Sequence, residues 1–307
     1  MLDDIFLGDC RNLIQQLDNE SIDLILSDIP YGISFDSWDV LHDNKNSALL
    51  GTSPAQEKFG KVFKSRGKPL NGWSEDDKKI PLEYYNWIKS WIDDWYRVLK
   101  PGSSVFVFAG RRLAHRCICA FEDVGFIYKD MIGWNKLKAA HRAQHVSCVF
   151  ERRGDKNLSM KWHAWKLGNL RPIFEPILWF MKPYKIGGAL VDNIANFNLG
   201  AYNEKILEKY KQEPNNLLSI QSKKEDSGLH PTQKPLSLMA LLIELVTIEN
   251  QVVLDPFAGS GTTLVAALNL NRHYIGFEQD EMYYQIAKER LDKNIAALQE
   301  NLFKQIK

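Results

Sequence analysis

Short apolar runs, each the length of one strand, recur along the 307-residue chain with helix-patterned stretches between them. Ile5–Asp9, Ile22–Leu26, Ser104–Phe108, Phe126–Trp134, Glu175–Phe180, Val252–Leu254 and Tyr274–Phe277 read as strands. Arg11–Leu17, Leu82–Leu99, Arg112–Val124, Leu236–Thr247, Thr262–Asn269 and Glu281–Leu298 read as helices. Strands this apolar are buried on both faces, as in parallel sheets covered by helices on each side. The alternation predicts an α/β fold with a doubly wound, mostly parallel, seven-stranded sheet. With 45% hydrophobic residues the chain can build one large α/β domain with a smaller attached element, or two modest domains.

Two of the strand ends are unusual. Ile22–Leu26 runs into Ser27-Asp28-Ile29-Pro30-Tyr31-Gly32, which puts a carboxylate and a ring on the sheet's carboxyl edge, where open α/β sheets bind ligands. Val252–Leu254 runs into Asp255-Pro256-Phe257-Ala258-Gly259-Ser260-Gly261-Thr262-Thr263. Glycines between a strand and a helix let the backbone turn tightly and approach a ligand. A dinucleotide fingerprint would need glycine at 264, where Leu264 stands, and this disfavours an NAD oxidoreductase. Glu278 ends the next strand, a position suited to accept hydrogen bonds from both hydroxyls of a ribose. The pair of strand ends points to a nucleoside-like cofactor on one side and the group being modified on the other.

The segments between these elements divide the chain further. Residues 34–79 are polar and tethered to the Asp28 turn, which predicts a mobile loop over the active site. Residues 136–172 form a basic insert. From Lys136 to Arg171 nine Lys or Arg face two acids, although the whole chain is only +1. A near-neutral protein with a locally basic surface can still bind a phosphate backbone. Residues 184–229 are polar, with one helix at Asn203–Lys211 and no core, and are a candidate target-recognition segment. The catalytic domain is then 1–33 with 80–135, 173–183 and 230–307. Four scattered cysteines argue for a reducing cytoplasm and against a disulfide framework or a zinc site. The longest apolar runs fall short of a membrane span, and the acidic N-terminus lacks a signal-peptide pattern.

These motifs carry a family resemblance. Asp-Pro-Phe-Ala-Gly-Ser-Gly-Thr-Thr at 255–263 resembles the S-adenosylmethionine loop of amino-group DNA methyltransferases. Asp28-Ile29-Pro30-Tyr31 resembles their (Asp/Asn/Ser)-Pro-Pro-(Tyr/Phe/Trp) catalytic motif, and His230-Pro231-Thr232-Gln233-Lys234-Pro235 the segment opening the cofactor half. Catalytic motif first and cofactor loop second is similar to the β group. Glu175–Pro183 resembles a strand that walls the base pocket. Ile29 stands where the family usually has proline; it still supplies a carbonyl, and Pro30 still biases it to extended backbone.

The resemblance implies a site-specific methyltransferase moving a methyl group from S-adenosylmethionine to adenine N6 in double-stranded DNA, without metal. Asp28 at the first motif position favours adenine over cytosine N4. Asp28 and the Ile29 carbonyl would hold the target amine, and Tyr31 would stack on the flipped base. Asp9 would lie near the cofactor adenine and Glu278 on its ribose. Asp255, Phe257, Gly259, Ser260, Gly261 and Thr262 would form the cofactor loop, with Thr232 and Lys234 near the methionine carboxylate. Candidate DNA contacts are Lys138, Arg142, Arg152, Arg153, Lys166 and Arg171. Trp162 and Trp165 read as local core. A homodimer and a cognate restriction endonuclease are further implied partners. An RNA or protein methyltransferase and an inactive DNA-binding module are the rival readings.

Overall fold

The computed structural model describes residues 1–31, 75–137, 144–168, 170–223 and 233–305. Its frame is one sheet of order β1-β8-β7-β2-β3-β5-β4-β6. The strands are β1 (Asp4–Leu7), β2 (Ile22–Asp28), β3 (Leu99–Phe108), β4 (Ile127–Asn135), β5 (Phe174–Met181), β6 (Leu217–Ser219), β7 (Val252–Asp255) and β8 (His273–Glu278). All neighbours are parallel except the two pairs made by β5. Seven strands therefore end at one edge, and β5 begins there.

Side chains alternate across the sheet, so each strand feeds two cores. Leu24, Leu26, Phe106 and Phe108 pack with the helices Leu236–Val246 and Thr262–Asn269. Ile25, Val105 and Val107 pack on the other face with Glu75–Lys89, Ile92–Val98 and Ala114–Val124. This is the expected doubly wound arrangement, with one strand more than expected.

The extra strand is β6, in a stretch read as having no core. The structure corrects that reading: Leu199, Leu207, Leu218 and Ile220 are buried. They stand singly between turns, too sparse for a period to show, and docking buries them. β6 pairs with Gly133–Asn135, and the Trp134 indole donates to the Ile220 carbonyl at 2.9 Å. The described stretch from 184 to Asn216 lies between the end of β5 and the start of β6, so it enters and leaves at the amino edge of the sheet.

The expected helix Leu82–Leu99 is two helices, Glu75–Lys89 and Ile92–Val98. Ser90 Oγ donates to the Trp87 carbonyl at 2.6 Å, in competition with the helical ladder, and Trp91 leaves helical backbone at φ −139°. The break lets Trp87, Trp91 and Trp95 all contact Phe257, with ring centroids 5.8, 5.6 and 6.3 Å away. Glu75–Lys79, assigned from sequence to the polar loop, belong to this helix; residues 32–74 lie outside the described residues.

The basic insert leaves β4 at Asn135 and enters β5 at Phe174, so both its roots are on the carboxyl edge. It holds two short helices, Val146–Arg152 and Lys156–Lys161. Trp162 and Trp165 meet edge to face, but Trp165 is 60% exposed. Trp165 is therefore not local core, while Trp162 is half-buried beside it.

Trp95 is fully buried between Trp91, Phe121 and Phe257. Trp95→Ala is expected to cost about 3–5 kcal/mol of stability, measured by chemical denaturation.

Candidate active site

A cavity of about 330 Å³ opens where β1, β8, β7 and β2 end. Their terminal acids, Asp9, Glu278, Asp255 and Asp28, all line it, and Trp87, Trp91 and Phe257 supply apolar wall. Its size falls in the range of small-molecule sites. It lies at the carboxyl edge of a doubly wound sheet, where open α/β folds bind their ligands.

The turn after β7 is built around Asp255, which is 2% exposed. Its carboxylate accepts from Ser27 Oγ at 2.7 Å, Thr263 Oγ1 at 2.6 Å and the Phe257 amide at 3.1 Å. Burial raises its pKa to about 6 against the pull of these bonds. Gly259 and Gly261 have φ of 52° and 76°. A Cβ on Gly261 would lie 2.9 Å from Ala287 Cβ in the helix Glu281–Gln305, so both backbone and packing require glycine. Arg290 donates to the Ser260 carbonyl and lies 3.2 Å from both Ser260 Oγ and Thr262 Oγ1.

Glu278 accepts from the Gly259 and Asp280 amides, each at 2.8 Å, one per carboxylate oxygen. The Gln279 amide adds a third bond, and the carboxylate lines the cavity. Burial raises its pKa, with those amides opposing. Asp9 caps the helix Cys10–Leu13 and pairs with Arg11, whose hydrogen bond lowers the carboxyl. The Trp91 indole Nε1 and both carboxamide atoms of Gln233 are buried without a partner among the described residues, and both residues line the cavity. A polar ligand with donors and acceptors would satisfy them. Thr232 lies outside the described residues.

At the β2 end, four charged or polar groups interlock. Lys234 Nζ lies 2.5 Å from Asp28 Oδ2 and 3.2 Å from Glu175 Oε1, and is 4% exposed. Tyr31 OH lies 2.5 Å from Glu175 Oε1 and 3.1 Å from Asp28 Oδ1. Lys136, at the root of the basic insert, pairs with the same Glu175. Burial raises the Asp28 carboxyl, with Lys234 opposing. Burial would also raise Glu175, but the Lys234 and Lys136 ammoniums outweigh it and bring it down to about 2. For Lys234, burial disfavours the charge and the two carboxylates more than restore it, raising its pKa.

The Asp28–Tyr31 turn is also fixed sterically. The Ile29 side chain is 1% exposed in the core, and Tyr84 OH donates to the Pro30 carbonyl at 3.2 Å. Gly110 lies against Tyr31; a Cβ there would come within 2.9 Å of Tyr31 Cβ.

Glu175 opens the strand that resembles the base-pocket wall, but the sequence reading assigns it no role of its own. Its signal was an acid opening an otherwise apolar strand, since a buried acid requires a partner. Arg111, Arg112, His115 and Arg116 follow β3 on the same carboxyl edge, with Arg111 and His115 exposed. Of the expected DNA contacts, Arg152, Arg153, Lys166 and Arg171 are exposed; Lys138 and Arg142 lie outside the described residues. Among the described residues no His, Cys, Asp or Glu cluster could hold a metal ion, and no helix is long and apolar enough to cross a membrane.

The sequence profile of a DNA methylase family, the amino-group N6/N4 methyltransferases, matches residues 22–289. The chain belongs to this family and is a DNA-modifying enzyme. It is 57% identical over 296 residues to the type II methyltransferase M.HindIII of Haemophilus influenzae, covering 95% of this chain and 96% of that one. It is 28% identical to the type II methyltransferase M.HpaI of Haemophilus parainfluenzae, covering 92% and 73%. In fold it is similar to a DNA modification methylase of Thermus thermophilus complexed with S-adenosyl-L-methionine, with TM-score 0.58, 18% identity and coverage of 95% and 93%.

Ionised Asp255 is disfavoured in the folded chain, because burial raises its pKa from 3.8 to about 6. Between these values the folded state binds more protons, so this group's contribution to stability falls as pH rises. The stability difference between wild type and Asp255→Asn should move in the variant's favour from pH 4 to 7, by up to about 3 kcal/mol. Urea titrations at both pH values measure it.

Proposed function

We propose that the chain moves a methyl group from S-adenosylmethionine to the exocyclic N6 of adenine in duplex DNA, in a type II restriction-modification setting. The observation that carries this reading is the placement of Asp28 and the Asp255–Thr263 turn on adjacent strand ends, joined by the Ser27–Asp255 hydrogen bond. The orphaned Trp91 and Gln233 atoms, and the acids Glu278 and Asp9, suit a nucleoside cofactor with hydroxyl, amine and carboxylate groups. Bound there, S-adenosylmethionine supplies a methyl group already activated by its sulfonium.

The protein's own task is positioning. Asp28 and the Ile29 carbonyl accept the two N–H bonds of the target amine. This draws its lone pair out of the ring and toward the methyl. The nitrogen would gain the methyl as the carbon–sulfur bond breaks, leaving S-adenosylhomocysteine, and would shed one proton. Asp28, whose carboxyl burial raises, is placed to receive it. Tyr31 stacks on the base once it has left the duplex. Asp28→Ala is expected to lower transfer of labelled methyl at least about 10³-fold while cofactor binding by calorimetry holds. Full activity would refute the assignment. Methylcytosine in digested product DNA would replace adenine by cytosine N4 as the target.

The basic insert and the segment Arg111–Arg116, a turn running into the helix Ala114–Val124, rise from the same edge as Asp28, and this supports them as the phosphate-contacting surface. A cognate endonuclease, a homodimer and a cytoplasmic location follow from the same reading, by resemblance to type II enzymes. Arg111→Ala and Arg153→Ala should each weaken DNA binding about equally across sequences. Each should also reduce the slope of log affinity against log salt by about 1, measured by anisotropy titration.

A further inference from the structure

Tyr31 OH faces three partners: Glu175 Oε1 at 2.5 Å, Asp28 Oδ1 at 3.1 Å and Lys234 Nζ at 3.1 Å. An ammonium only donates, so toward Lys234 the phenol oxygen accepts. A phenol has one proton to give, and two carboxylates compete for it. Burial and these two carboxylates push the Tyr31 phenol well above its ordinary value, so it keeps that proton. The shorter contact is the one to Glu175. Asp28 Oδ2 is already engaged by Lys234 at 2.5 Å. A Tyr31 proton turned to Oδ1 would engage the other oxygen as well, and weaken the acceptor that an incoming amine must use.

We infer that Glu175 is a positioning residue. It accepts the one hydrogen bond that the Tyr31 phenol can donate and so leaves Asp28 Oδ1 as acceptor for the target amine. The inference rests on the methyl-transfer reading above. Three other features favour it. Lys234 and Lys136 both hold the Glu175 carboxylate, so it stays an anion and a strong acceptor. Its strand β5 is clamped on both sides, by β3 and β4. The two acids also sit in environments that push them apart, Glu175 down to about 2 and Asp28 upward. Among the described residues, Lys234, Glu175 and Tyr31 are the groups that act on Asp28, and Asp28 in turn helps raise the Asp255 carboxyl at the end of β7. Lys136 is the first residue of the basic insert, so the insert's root and the amine acceptor are joined through one carboxylate.

The test is a double-mutant cycle on methyl transfer to unmethylated DNA carrying the target site. Glu175→Gln is expected to lower kcat about 10- to 100-fold, with KM for DNA and the calorimetric Kd for S-adenosylmethionine within about 2-fold. In a Tyr31→Phe background, where no phenol proton remains to be misdirected, the same substitution should cost less than about 3-fold. Glu175→Asp keeps the charge but draws it back from Tyr31. It should repeat the pattern, and it decides the matter if Glu175→Gln fails to bind cofactor. Wild-type kcat in both Glu175 variants, or equal losses with and without the Tyr31 hydroxyl, would overturn the inference alone. A wild-type protein that transfers no methyl group to any DNA would overturn the functional reading and the inference with it.

Discussion

The hydrogen bond from Ser27 to Asp255 joins the two working parts of the molecule. The residues are 228 positions apart in sequence, and the bond is buried. It ties the end of β2, which carries Asp28, to the end of β7, which carries the glycine turn. Thr263 and the Phe257 amide share the same carboxylate. One side chain thus fixes the strand pair, the start of the turn and the first residues of the helix Thr262–Asn269. A buried carboxylate is tolerable only because all these donors meet it.

The second constraint is the cluster of Asp28, Tyr31, Glu175, Lys234 and Lys136. Burying a lysine and two acids is costly, and a pair like this rarely adds net stability. What it provides is geometry: each member has its position set by the others, drawn from β2, β4, β5 and the lead into the helix Leu236–Val246. Removing one member leaves an uncompensated charge, so the cluster is either complete or strained. A site that works by holding an amine in one orientation requires this kind of rigidity.

Much of the fold was legible because it is written in local periods. β2, β5, β7, β8 and the second half of β3 are apolar runs bounded by turn residues, and Thr262–Asn269 has the same bounds in the structure as in the sequence reading. The glycine turn was legible because positive φ restricts the residue type. Other features were not. Ser90 breaks a helix through one side-chain hydrogen bond. Leu207, Leu218 and Ile220 are core residues without a pattern. The Ser260 and Thr262 hydroxyls face Arg290, thirty and twenty-eight positions on, and no spacing announces this.

The sequence by itself determined the order of strands and helices, the two distinctive strand ends and the acids that close them. These are local choices of residue type, and a parallel sheet with right-handed crossovers leaves few ways to arrange them. Only the tertiary structure decided how those acids differ. Asp255 became a structural joint, Glu278 came to line a cavity, and Asp28 and Glu175 came to share Tyr31 and Lys234. Contacts across 144 and 206 residues set that division. Burial and opposing charge act through space, and they are fixed only when the chain has closed.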